Sequence, residues 1–156
     1  MNTTTNIDLQ TICSRNNVEL NAVVMKDQLA QMNSKQYKHL IVNLQSSTSG
    51  SGTHWIAITR APTCMLVFDS FGAIPPMEIL RYCKSTTLPT MYSNFIVQDI
   101  NSRAYGQYCI AFLHNMQNTL GEPYTRFNDF VNMFDHNAKL NERILKSYYK
   151  QNKMKL

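Results

Sequence analysis

Five side chains in this sequence are of the types that acyl transfer uses. His54 lies in the run Gly52-Thr-His-Trp-Ile-Ala-Ile58 and has the chemistry of a base; Asp69, in Phe68-Asp-Ser-Phe-Gly72, has that of its orienting carboxylate. Gln98 ends an apolar run with a side-chain amide of the kind that receives an oxyanion. Tyr105 follows a polar turn and opens an apolar helical pattern, with Cys109 one turn later. A nucleophile mounted at such a helix start has beside it the first-turn amides, which lack intrahelical partners. Taken alone, His54 is better read as a satisfied strand histidine and Gln98 as an ordinary strand-end residue. Only the combination carries chemistry.

The elements that must hold these residues follow from periodicity. Residues 1–6 are polar and expected to fray. A short helix is expected over 7–13 and a second over 26–32, with Val23 and Val24 leading into it. Strands are expected over 39–44, 53–60, 64–68 and 94–97, from their β-branched and apolar content. The Ser- and Gly-rich residues 45–52 read as a flexible loop. Pro75 and Pro76 open a helix reaching about residue 84, since proline suits a first turn. Helices are expected over 105–119, 126–134 and 138–149, with Thr125 and Asn137 as candidate caps. The order of helices, then mainly strands, then helices predicts one α+β domain over residues 1–156, a small and mostly antiparallel sheet packed by helices.

Composition limits the remaining choices. With 156 residues, 44% apolar and 16% charged, the chain suits one folded domain burying roughly two thirds of its unfolded surface. A net charge of +5 with lysines crowded at the C-terminal end keeps nucleic acid open as a partner, although a merely basic surface explains it as well. Cys13, Cys64, Cys83 and Cys109 have no C-x-x-C spacing, so neither a metal site nor a redox pair is signalled and no cofactor is expected. No secretory-type apolar segment opens the chain, and no run approaches the ~18 apolar residues of a bilayer span. The expectation is a reduced, intracellular setting away from membranes.

The sequence G-T-H-W, then F-D-S-F-G, then V-Q-x-x-N-S-x-A-x-G-x-x-C-x-x-F-L-H closely resembles the adenovirus maturation protease family and related proteases of virophages and Polinton-type elements. These are distant kin of the SUMO-specific proteases. The resemblance covers about residues 40–116, with three separated motifs in order at compatible spacings. It implies a papain-like cysteine endopeptidase fold, with His54 as base, Asp69 as acid, Gln98 as oxyanion donor, and Trp55 as the aromatic neighbour of the base. An ungapped match puts Tyr105 on the catalytic cysteine, Gly106 on the glycine after it, and Cys109 on a non-catalytic position. A phenol ionises only around pH 10 and is a poor acyl acceptor beside a thiolate. Four residues along a helix is about 6 Å, so Cys109 would forfeit the helix-start amides.

Two readings therefore stand. In the first the chain keeps the protease scaffold and binds a viral structural polyprotein or capsid-protein tail without cutting it. In the second it is a virion-maturation protease, Tyr105 being a sequence variant of cysteine or Cys109 acting instead. The resemblance also implies a host-cell or virion setting and raises an activating peptide and DNA as partners; no cysteine here matches the disulfide link to that peptide. A third and weaker reading is a basic protein associated with nucleic acid.

Overall fold

The computed structural model describes residues 1–48 and 54–156. A five-stranded sheet forms the centre, in the spatial order β1 (Ala22–Met25), β2 (His39–Asn43), β3 (Trp55–Arg60), β4 (Met65–Phe68) and β5 (Thr90–Tyr92). The β1–β2 and β4–β5 pairings are parallel, whereas β2–β3 and β3–β4 are antiparallel. The expected α+β architecture is present, but the sheet is mixed rather than mostly antiparallel. The parallel partners are the two short edge strands. β1 takes the place of the expected lead-in to a helix, and β5 lies before the apolar residues 94–97, where the expected strand does not form.

Alternation along the central strands divides the core in two. Leu40, Val42, Ile56, Ile58, Met65 and Val67 face one way, towards Leu29 and the helix α2 (Met77–Lys84). Ile41, Trp55, Ala57, Leu66 and Phe68 face the other way. They meet α1 (Asn6–Arg15), α3 (Tyr105–Asn118), α4 (Pro123–Asn132) and α5 (Ala138–Gln151). With both faces covered, the central strands are apolar at nearly every position, which is why they stood out in the sequence. Residues 26–31 form a six-residue 3₁₀ helix instead of an α-helical segment.

Several expected boundaries move. Within residues 1–6, expected to fray, Thr5 caps α1 through a reciprocal capping box with Asp8, and Thr4 is buried. The cap of α4 is Glu122, which accepts from the Tyr124 and Thr125 amides with Pro123 in the first turn, so Thr125 is inside the helix. Asn137 caps α5 as expected. Of the expected loop over 45–52, residues 49–52 lie outside the described residues, and the Ser47 amide donates to Asp27 at 2.8 Å.

Candidate active site

The antiparallel pairing of β3 and β4 sets the start of one beside the end of the other. His54 immediately precedes β3 and Asp69 immediately follows β4, so both stand at the same rim of the sheet. There His54 Nε2 lies 2.8 Å from Asp69 Oδ1, and Asp69 is buried. The same carboxylate oxygen accepts from the Phe71 amide at 2.8 Å, and Gly72 closes the turn by donating to the Asp69 carbonyl at 2.9 Å. Gly72 has φ +62°, and a Cβ there would sit 2.8 Å from the backbone of Asn94 and Phe95. The turn that aims Asp69 thus requires glycine twice over, for backbone angle and for space.

With Nε2 committed to Asp69, Nδ1 is the imidazole nitrogen left to face a reacting group. That atom is buried and has no hydrogen-bond partner. Aromatic rings pack against the imidazole. Phe71 stacks on the imidazole at a centroid distance of 4.9 Å, and Tyr105 meets it edge-on at 5.1 Å and 86°. Phe71 and Tyr105 also touch, at 5.6 Å. Tyr105 is the first residue of α3, and no side chain caps that helix start. The phenol ring therefore occupies the mouth of the helix beside His54, as ring-to-ring contact.

Gln98 reaches the same rim by a different route. It lies in an irregular segment outside the sheet, not at a strand end, and its amide and that of Val97 both donate to the Ser70 carbonyl at 2.9 Å. Its side chain is buried, with Oε1 accepting from Ser70 Oγ at 2.6 Å and Nε2 donating to the Ser102 carbonyl at 3.0 Å. An amide nitrogen carries two N–H groups, so one remains for an incoming oxygen. Ser70, next to Asp69, thereby ties the acid to the glutamine. Asn141, fully buried on α5, donates to the Val97 carbonyl at 2.9 Å and to the Asp135 carbonyl at 2.8 Å. Ser70 stands inside F-D-S-F-G with no role assigned to it there, and Asn141 carried no signal beyond its place inside a helix.

Cys109 lies within α3 and is fully buried. Burial, with the nearby Asp69 charge adding to it, holds its thiol well above the usual range. Trp55 and Gly106 serve the N-terminal segment. Trp55 Nε1 donates to the Thr4 carbonyl at 3.1 Å, and a Cβ on Gly106 would lie 2.0 Å from Thr4 Oγ1 and 2.6 Å from Leu9 Cδ2. Beside Trp55 a groove of about 610 Å³ is lined by residues 3–6, β1 and Asn43. Asn43 Nδ2 and Thr4 Oγ1 are both buried there without partners.

No protein-family model matches the chain, and no curated protein matches it in sequence. Solved structures do match in shape. The ASFV pS273R protease superposes with a TM-score of 0.63 at 15% identity, over 97% of this chain and 67% of that one. Its Se-Met form gives a TM-score of 0.51 at 16% identity, over 76% of this chain and 44% of that one. The central domain of the uncharacterized Lpg1148 protein from Legionella pneumophila gives 0.54 at 9% identity, over 98% and 97% of the two chains. Identities this low speak to architecture alone: the chain has a cysteine-protease-like, papain-like fold.

Proposed function

We propose that this chain is a pseudoprotease, a protein-tail-binding module on a cysteine-protease-like scaffold whose nucleophile seat is filled by Tyr105. The observation that carries the reading is the closure of Tyr105 and Phe71 over the free face of His54, whose Nδ1 is buried without a partner. Acyl transfer needs a thiolate or activated hydroxyl within hydrogen-bond reach of that nitrogen, about 3 Å. All four cysteines are buried. The groove beside Trp55 suits an extended peptide, whose backbone carbonyls match the unpartnered donor on Asn43. The three-motif resemblance supports an adenain-like affiliation, and with it a capsid-protein or polyprotein tail as ligand and a host-cell or virion setting.

A second reading, an active cysteine protease in which Tyr105 stands as a variant of cysteine, is favoured by one feature. His54 and Asp69 keep a 2.8 Å contact, and Gln98 stays oriented although no thiol uses them. One experiment separates the two. The chain and its Tyr105→Cys variant are incubated with a peptide library and, in parallel, with a thiol-reactive probe. The pseudoprotease reading expects no turnover and no labelling from the unaltered chain, and labelling of the variant that falls when His54→Ala is added. Turnover by the unaltered chain that disappears on His54→Ala would sink it.

A further inference from the structure

The end of β3 away from His54 opens onto a second cavity, of about 410 Å³, bounded by the start of β2, the end of α3 and the first turn of α4. Six strand steps separate His54 from Arg60, roughly 20 Å at the usual strand rise, so this cavity is remote from the candidate active site. Its wall is cationic. Lys38, Arg60 and Arg126 line it, against the single carboxylate of Glu19. Among the described residues none of these three cations forms an ion pair, and the ion-pair contact of Glu19 is with His39, at 3.9 Å.

Arg126 is held, and neither arginine is fully satisfied. Arg126 Nη1 donates to the carbonyls of Met116 and Thr119 at 2.7 and 2.9 Å, which fixes the guanidinium at the end of α3. The Nε atoms of both Arg60 and Arg126 are buried with no acceptor. His39 is also buried, its Nδ1 3.3 Å from Thr59 Oγ1, and burial above all pushes its imidazole down to about 4. It therefore adds hydrogen-bonding capacity near neutral pH without adding charge.

We infer that this cavity is a binding site for a small molecule carrying a phosphate group. Three cations line the wall against one carboxylate, and the charge of Glu122 bears on Arg126 from beside it, which still leaves a positive surplus that an anionic phosphate matches. Guanidinium forks present paired donors that suit phosphate oxygens, and that of Arg126 is fixed in place by its Nη1 bonds to two carbonyls. The cavity lies within the range of small-molecule pockets, about 300–1,000 Å³, which is more room than the phosphate group itself fills. The site is independent of what His54 and Tyr105 do, although β3 and α3 each run from one site to the other.

Pyrophosphate and inorganic phosphate are the probes, titrated at constant ionic strength into the full chain and followed by amide NMR shifts. Saturable shifts at Thr59, Arg60 and Gln117 are expected, tighter for pyrophosphate. Arg60→Gln and Lys38→Gln should each weaken binding about tenfold, as loss of a charged hydrogen bond does. Lys150→Gln, on α5 away from the cavity, should leave it unchanged. Melting curves of the unliganded variants verify that each is folded. Absence of saturable shifts, shifts centred elsewhere, or equal weakening by Lys150→Gln would overturn the inference, the last because it indicates diffuse attraction to a basic chain.

Discussion

At the scale of single residues, the site separates groups that orient from groups that react. His54, Asp69 and Gln98 have their hydrogen bonds arranged by Phe71, Ser70 and Ser102, whereas position 105 holds a ring in contact with other rings. The sulfur chemistry is equally shut away. Burial pushes the thiols of Cys13 and Cys83 up to about 12, raises Cys64, and holds Cys109 well above the usual range. Since the thiolate is the reactive form, raised values mean neutral thiols throughout the mildly alkaline range. An alkylating reagent should therefore leave all four unlabelled in the folded chain and label all four after denaturation; rapid native labelling of Cys109 would refute this. The residues of the site were legible because type and spacing survive as motifs. The anchoring role of Ser70 was not, although the residue stands inside F-D-S-F-G, because holding a neighbouring loop through a carbonyl leaves no sequence pattern.

At the scale of elements, strands covered on both faces were visible as apolar runs, and α3 as a long period. The edge strands β1 and β5 were not. Four and three residues are too few for alternation to declare itself, and their pairing is decided by where the preceding chain delivers them. Residues 94–97 looked like a strand for the same apolar reason. Yet they make their bonds to Ser70 and, through the Val97 carbonyl, to Asn141. That last bond gives the C-terminal quarter of the chain, which carried no motif, a part in holding Gln98. Asn141 also accepts from the Asp135 amide at 2.7 Å, so one fully buried side chain makes three hydrogen bonds. Asn141→Ala should cost about 2–4 kcal/mol, for lost bonds and stranded buried carbonyls. Chemical denaturation measures it, and a loss under ~0.5 kcal/mol, the level of an ordinary surface change, would show that the bonds are not needed.

At the scale of the whole molecule, the sheet separates two apolar layers, and polar groups enter the interior at its rims. The candidate active site takes one rim and the cationic cavity the other. No helix among the described residues is long and apolar enough to cross a membrane. The buried histidine at the far rim couples folding to pH. Burial lowers the His39 imidazole from an ordinary 6.5 to about 4; the charge of Glu19 opposes that fall, and those of Lys38 and Arg60 assist it. The unfolded chain takes up a proton as pH drops below 6.5, while the folded chain does not until about 4. Protons therefore favour the unfolded state across that window, and stability present above it is lost as the pH falls. A shift of this size corresponds to at most about 3.5 kcal/mol at ~1.4 kcal/mol per unit. His114, lowered by burial as well, acts in the same direction. Denaturation midpoints measured across this range should fall on acidification for the unaltered chain and fall distinctly less for His39→Gln, which removes the titration while keeping a polar side chain. Parallel curves for the two proteins would mean that His39 is accessible to protons in the folded state.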